Sequence, residues 1–267
     1  HPKMVLNKIT FLRNFRVKRV VGKSAGAIEE GQKLWHVKID KDFNTAGALN
    51  ATGDRLYVIS RSNPSTPSRL YAIDTSEGVA NAADRLLWNI SLRGVNATSG
   101  GETFTTSTPV MGKNGDIYLT TFRLPPNFKL GDSLPGILHC ISPAGEVRWE
   151  FPLASSSSFT PVVDHREGQD LIYVITDRGR LVAVDGAGQQ RWGTVLPGTA
   201  GEGPVDAPII GEDLDGGRTL YQAMGNGLIY AIKDRDTRGE MLWAQAPQAP
   251  CRPYAHSRPQ ASCRAGV

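Results

Sequence analysis

This chain has no pair of adjacent cysteines, and only three cysteines in its 267 residues: Cys140, Cys251 and Cys263. Three thiols make no disulfide framework. Cys140, inside a β-rich apolar run, reads as a small buried hydrophobe. Cys251 and Cys263 stand in a Pro- and Arg-containing tail, where a bridge is open but the spacing does not require one. Long apolar runs are also lacking. None approaches the roughly 18 residues that a bilayer-spanning helix needs, so no transmembrane segment is expected. Acidic residues are absent before Glu29, whereas Lys3, Lys8, Arg13, Arg16, Lys18, Arg19 and Lys23 all precede it. Much of the net charge of +4 is therefore local, and "FRVKRVV" alternates as an edge strand would. The basic residues are not interleaved with exposed aromatics, which excludes a nucleic-acid surface of the usual kind. His1, His36, His139, His165 and His256 are scattered without ligand spacing, and no His-Asp or paired-carboxylate constellation recurs in the loops. A catalytic site concentrates such groups, so the pattern speaks against an enzyme.

The chain is rich in turn formers, with 29 Gly and 17 Pro. These suit short strands joined by tight loops. It also has five tryptophans, and they are regular. Four follow a glycine at the spacing G-x-x-x-W: "GQKLW" at 31 to 35, "GEVRW" at 145 to 149, "GQQRW" at 188 to 192 and "GEMLW" at 239 to 243. Trp88 follows Gly78 with six extra residues between them. Successive tryptophans lie 53, 61, 43 and 51 residues apart, a period that belongs to propellers or solenoids.

Other residues recur in phase. A start motif, "TPV" at 108 and 160 or "API" at 207, has a degenerate first copy, "AGA" at 46. It is followed by a tyrosine-bearing run: "LYVIS", "IYLTT", "IYVIT" and "LYQAM". A second apolar run comes next, "LYAID", "LHCIS", "LVAVD" and "IYAIK", then a glycine turn and the tryptophan strand. Four short strands per unit make one blade of a β-propeller. The expectation is an all-β chain of about four four-stranded antiparallel blades, an incomplete arc of a larger ring. Residues 1–30 are a basic lead-in, 31–245 the propeller repeats, and 246–267 a disordered tail. The chain opens on His1, which leaves room for an upstream leader or further repeats.

These residues resemble the docking motif of pyrrolo-quinoline-quinone-like repeats, A-x-D, a glycine turn, then x-x-x-W. Ala72, Asp74, Gly78 and Trp88 fit it, as do Ala183, Asp185, Gly188 and Trp192; the copy at 140 has Cys140 and Ser142, and the last keeps Ala231 but has Lys233. The resemblance places the chain beside the quinoprotein alcohol dehydrogenase-like superfamily, on its non-catalytic branch. It implies a protein-binding scaffold in an extracytoplasmic place, periplasmic or secreted, with an unidentified protein partner and no cofactor. The alternatives it implies are a fragment of a dehydrogenase using pyrroloquinoline quinone with calcium, or a calcium-stabilised extracellular adhesion-type propeller. Enzymes of this kind stack the quinone on a vicinal cysteine pair, which this sequence lacks.

Particular residues then take provisional roles. Trp35, Trp88, Trp149, Trp192 and Trp243 are expected to dock blade on blade. Asp213 and Asp215, in "GEDLDGGRT", resemble a D-x-D-G calcium loop, but Gly217 and Arg218 follow where a further acid is needed, which favours a plain hairpin turn. "PGTAGEGP" at 197 to 204 lacks the Lys-Ser/Thr ending of a phosphate cradle. Ser155 to Ser158 read as a solvated connection. Sequons at Asn50, Asn89 and Asn96 permit glycosylation in a suitable host. The long insertions fall on one side of the blades, and the segment 122 to 136 is the candidate partner-binding loop. It offers Phe122, Leu124, Phe128 and Leu130 as anchors, with Arg123 and Lys129 as rim charges. If the ring is incomplete, self-association is a further expectation.

Overall fold

A computed structural model describes residues 16–18, 35–39, 46–60, 68–77, 79–92, 102–105, 107–124, 129, 132–166, 168–198 and 202–246. Among these residues there is no α-helix, only strands and one short 3-10 turn, Ala83–Arg85. The lead-in contributes β1 (Arg16–Lys18), which pairs antiparallel with β2 (His36–Lys38) to form a half-blade. Blade one is β3 (Ala48–Leu49), β4 (Arg55–Ser60), β5 (Arg69–Asp74) and β6 (Leu86–Ser91). After β7 (Glu102–Phe104), blade two has β8 (Val110–Met111), β9 (Ile117–Leu124), β10 (Gly136–Ile141) and β11 (Val147–Leu153). Blade three is β12 (Val162–His165), β13 (Asp170–Ile175), β14 (Arg180–Asp185) and β15 (Gln190–Val195). Blade four is β16 (Ile209–Glu212), β17 (Arg218–Ala223), β18 (Ile229–Asp234) and β19 (Gly239–Gln245). Each is an antiparallel meander in sequence order, and the sheets form an open arc.

In blades one to three the second and third strands are covered on both faces, which is why they read as continuous apolar runs rather than as alternation. The fourth strand is the blade's outer edge and is more exposed than the second and third, alternating in β6 as "LLWNIS" suggests. One row of cross-strand partners repeats in every blade. It runs Ala48–Tyr57–Ala72–Trp88 in blade one and Val110–Tyr118–Cys140–Trp149 in blade two. In blades three and four it runs Val162–Tyr173–Ala183–Trp192 and Ile209–Tyr221–Ala231–Trp243. The small third member leaves room for the indole and the tyrosine ring to meet, at centroid distances of 5.9, 5.9, 5.9 and 6.1 Å. In all four blades the register shifts directly after that small residue. Such a bulge adds one residue to the fourth strand and re-aims the side chain beside it.

The core is a series of seams. Trp35, Val37 and Ile39 pack on Leu56, Val58, Tyr71 and Ile73 of blade one. Tyr57, Ile59, Leu70 and Ala72 meet Ile117, Leu119 and Ile141 of blade two. Tyr118, Leu138 and Cys140 meet Ile172, Val174, Val182 and Val184 of blade three. Tyr173, Ile175, Leu181 and Trp192 meet Leu220, Tyr230 and Ile232 of blade four. Each blade thus buries its faces only against its neighbours, the one-dimensional arrangement of repeat proteins.

The structure departs from the sequence expectation in blade two. The insertion 93–107 contributes β7, which pairs with the outer half of the eight-residue β9 while β8 pairs with the inner half, making this sheet five-stranded. A strand that long exposes a ladder edge beyond the reach of a two-residue first strand, and β7 fills it. The tail 247–267 lies outside the described residues, as does all of the lead-in except β1.

Candidate interaction surfaces

The tryptophans reach forward. Trp88 Nε1 donates to Pro143 O at 3.0 Å, Trp149 Nε1 to Gly186 O at 2.9 Å and Trp192 Nε1 to Asp234 Oδ1 at 2.8 Å. Pro143 and Gly186 are in the turn between the third and fourth strands of the next blade, and Asp234 is the last residue of the third strand before that turn. Beneath each ring lies that turn's glycine: a Cβ on Gly145, Gly188 or Gly239 would stand 2.9, 2.8 or 2.6 Å from the indole of Trp88, Trp149 or Trp192. Gly145 and Gly188 also hold left-handed backbone, with φ of 90° and 81°. The glycine and tryptophan of one G-x-x-x-W therefore serve different seams, the glycine receiving the preceding blade's ring. Sequence reasoning found the spacing but not this division of labour. Trp35 is received differently, by Arg85, whose guanidinium lies 4.5 Å from the ring centroid and donates to the carbonyls of Asp74, Ser76 and Val79. Trp243 stands apart, 44% exposed where Trp192 is 4%.

The motif aspartates organise the same turns. Asp74 Oδ1 accepts from Ser76 N at 2.7 Å, and Asp185 Oδ1 from Ala187 N at 3.1 Å and Gln189 N at 2.9 Å. In blade two Ser142 Oγ does the same work, accepting from Glu146 N at 3.1 Å. In blade four the next residue takes over: Asp234 Oδ1 accepts from Asp236 N at 2.8 Å as well as from Trp192. That leaves Lys233 free to reach across the sheet. Its ammonium donates to Asp213 and, at 3.3 Å, to Asp215, while Thr219 Oγ1 donates to Asp213 at 3.0 Å. The lysine holds Asp213 below the usual carboxylate range; Asp215 is lowered first by the Gly217 amide and then by Lys233. The space between the two carboxylates, read from sequence as a candidate calcium position, thus holds a cation from the chain itself. Among the described residues no group of three or more His, Cys, Asp or Glu is placed to hold a metal.

On the opposite side of the blades run the connections from fourth strand to next blade and from second to third strand. Here the expected solvated serine run is instead largely buried: Ser155, Ser156 and Ser157 are inside and only Ser158 is exposed. The reason is carbonyl demand at the strand ends. Ser157 Oγ donates to Ile175 O at 2.8 Å, and Thr120 Oγ1 donates to Phe159 O at 3.1 Å and Ser157 O at 3.3 Å. Asp177, in the turn between β13 and β14, accepts from Ser156 Oγ at 2.6 Å and from Ser158 N at 2.8 Å. The connection is clamped to both blades it joins.

Of the candidate partner-binding residues, Phe122, Arg123 and Leu124 are the half-buried end of β9, paired with Phe104, Thr103 and Glu102 of β7, rather than part of a loop. Lys129 is exposed, and its amide donates to Asp132 Oδ2 at 2.9 Å. Phe128 and Leu130 lie outside the described residues.

Two histidines meet carboxylates that sequence spacing did not reveal. His139 Nδ1 lies 3.0 Å from Glu150 and its Nε2 lies 2.8 Å from Thr121 Oγ1, a hydroxyl–imidazole–carboxylate line. Thr121 and His139 are 0% and 1% exposed, so no substrate reaches that hydroxyl. His165 Nδ1 is 2.8 Å from Asp170, which also accepts from Tyr118 across the seam at 3.1 Å. Cys140, between His139 and Ile141 in β10, is fully buried, and burial pushes its thiol up to about 12. These residues do not fit a quinone stacked on a vicinal disulfide.

A family model described as "Outer membrane protein assembly factor BamB" matches residues 21–259. None of the curated proteins matches the chain significantly. Among solved structures, the quinohemoprotein alcohol dehydrogenase of Comamonas testosteroni is similar at TM-score 0.58 and 15% identity, over 81% of this chain and 38% of that one. BBS1N, solved in complex with ARL6DN, is similar at TM-score 0.53 and 12% identity, over 90% of this chain and 63% of that one. Sqt1 of Chaetomium thermophilum, solved with the N-terminus of ribosomal protein L10, is similar at TM-score 0.54 and 10% identity, over 80% of this chain and 52% of that one. At such identities the likeness is one of fold, and the chain spans less than two thirds of each of these structures.

Proposed function

Since the chain belongs to the PQQ-like repeat family described by outer membrane protein assembly factor BamB, we propose that it is a non-catalytic, protein-binding scaffold working outside the cytoplasm. The observation that carries this reading is the clamped connection face. Thr120, Ser156, Ser157 and Asp177 tie the connection between blades two and three to the strand ends, which gives this side of the blades a fixed base. Long loops on a rigid scaffold are where recognition concentrates, because they vary without disturbing the core. The end of β9 supplies Phe122 and Leu124 as apolar anchors with Arg123 between them in sequence, and Lys129 is exposed in the connection that follows. Two propellers of similar fold are described with protein partners, ARL6DN and the L10 N-terminus. Replacing residues 125–134 by a Gly-Ser turn is expected to leave the melting temperature nearly unchanged and to abolish recovery of partner proteins by affinity capture. Undiminished recovery contradicts the placement of the site.

A second reading, part of a quinoprotein dehydrogenase, draws support from the likeness to the Comamonas enzyme. Absorbance on adding the quinone with calcium, and turnover with an artificial electron acceptor, discriminate between the two. The scaffold reading predicts neither.

A further inference from the structure

The sequence contains two Asn-Gly pairs, Asn114–Gly115 and Asn226–Gly227. The fold places them in turns of the same build. In the turn from β8 to β9, Gly112 N donates to Asp116 O at 2.7 Å and Gly115 N to Gly112 O at 3.1 Å. In the turn from β17 to β18, Met224 N donates to Leu228 O at 3.0 Å and Gly227 N to Met224 O at 3.0 Å. Gly115 and Gly227 both hold left-handed backbone, with φ of 80° and 78°. The asparagine side chains differ. Asn226 is half-buried and engaged at both ends: its Oδ1 accepts from Leu228 N at 3.0 Å, and its Nδ2 donates at 3.0 Å to the Tyr230 hydroxyl, which itself donates to Pro197 O at 2.8 Å. Asn114 is exposed, and among the described residues its amide has no hydrogen-bond partner.

An asparagine followed by glycine is open to succinimide chemistry, because no side chain on the next residue shields that residue's nitrogen. Gly115 N gives up its proton to a solvent base and attacks Asn114 Cγ; the Cγ–Nδ2 bond breaks, and ammonia leaves with a proton from solvent. Water then opens the ring at either carbonyl, leaving aspartate or isoaspartate. The attack requires the side chain to swing onto the backbone. At Asn226 that motion breaks two hydrogen bonds, whereas Asn114 has none to break among the described residues. We propose that Asn114 is a site of spontaneous deamidation, and that Asn226, in the same kind of turn, is protected from it by Tyr230 and the Leu228 amide. The site bears on the seam between blades two and three. The neighbouring amide, Lys113 N, donates to both carboxylate oxygens of Asp170 at 3.1 Å. The reaction therefore sets a new negative charge, and in isoaspartate an extra backbone methylene, one residue from a contact that joins the blades.

Incubation of the full chain in heavy-oxygen water at mildly alkaline pH, with peptide mass spectrometry at intervals, reads the conversion at each site. In the folded chain Asn114 is expected to convert roughly tenfold faster than Asn226 or more, the factor that two hydrogen bonds to be broken imply. In denaturant, where no turn remains, the two should convert at like rates. Tyr230→Phe keeps the ring and removes the hydroxyl, so with a cooperative melt to show that it folds it should raise the Asn226 rate and leave that of Asn114 unchanged. Asn226 converting as fast as Asn114 in the folded chain, an Asn114 that converts only once denaturant is added, a difference as large in denaturant as without it, or an Asn226 rate unmoved in folded Tyr230→Phe overturns the proposal.

Discussion

Cys140 occupies the place in the blade row that alanine holds in the other three blades, so its sulfur fills space directly beside Tyr118 and Trp149 in the seam between blades two and three. Burial, with Asp116 adding to it, keeps the thiol protonated up to about 12. Alkylation by iodoacetamide at mildly alkaline pH, followed at the Cys140 peptide by mass spectrometry, should therefore be undetectable in the folded chain and rapid once denaturant opens the seam. Reaction in the folded chain at the unfolded rate would mean that this seam is not closed. The thiol's burial was legible in the sequence because "LHCIS" is a short apolar run among β-formers. Ser155 to Ser158 were not legible, since whether a hydroxyl is solvated or buried depends on carbonyls it meets only in the fold, such as that of Ile175. The histidine–carboxylate pairs were hidden for the same reason: His139 and Glu150 are eleven places apart in the sequence and opposite one another in the sheet.

At the scale of the element, the hairpin of β16 and β17 is closed by Lys233, a residue of the strand beyond it. Asp213 is lowered from 3.8, chiefly by the hydrogen bond from Lys233, so its contribution to stability is present above pH 3.8 and is lost as pH falls through its depressed folded value. Lys233 is raised from 10.5, chiefly by Asp213, so its contribution is present below pH 10.5 and is lost as pH rises through its folded value. The clasp acts between these limits. Urea unfolding should show wild type above Lys233→Met near neutrality, with the gap narrowing below pH 3.8; a gap independent of pH would show that the lysine acts by packing alone. The sequence did carry a signal here, since Lys233 stands where the copies at 74 and 185 have aspartate. Which acids it meets depends on register, with Thr219 opposite Lys233, and spacing alone does not give that. Blade two shows the reverse limit: among the described residues β7 has no counterpart in the other blades, so the repeat could not foretell it.

At the scale of the whole molecule, the arc is a stack in which each blade is held by its neighbours through one seam apiece. The period of the tryptophans was enough to read the blades and their order, because one large aromatic per unit is what a seam requires. The direction of docking was not readable: the glycine and tryptophan lie together in sequence but belong to adjacent seams, a fact only the stacking of blades reveals. The most direct test is the unfolding free energy of Trp192→Ala and Trp243→Ala, measured by denaturant at protein concentrations low enough to keep copies apart. Trp192 lies buried between blades three and four with its N–H on Asp234, and its removal should cost about 3–5 kcal/mol. The Trp243→Ala variant should unfold close to the parent, because among the described residues no blade covers Trp243, which is 44% exposed. A Trp192→Ala variant as stable as the parent, or a Trp243→Ala variant as destabilised as Trp192→Ala, would contradict the forward docking of one tryptophan per seam.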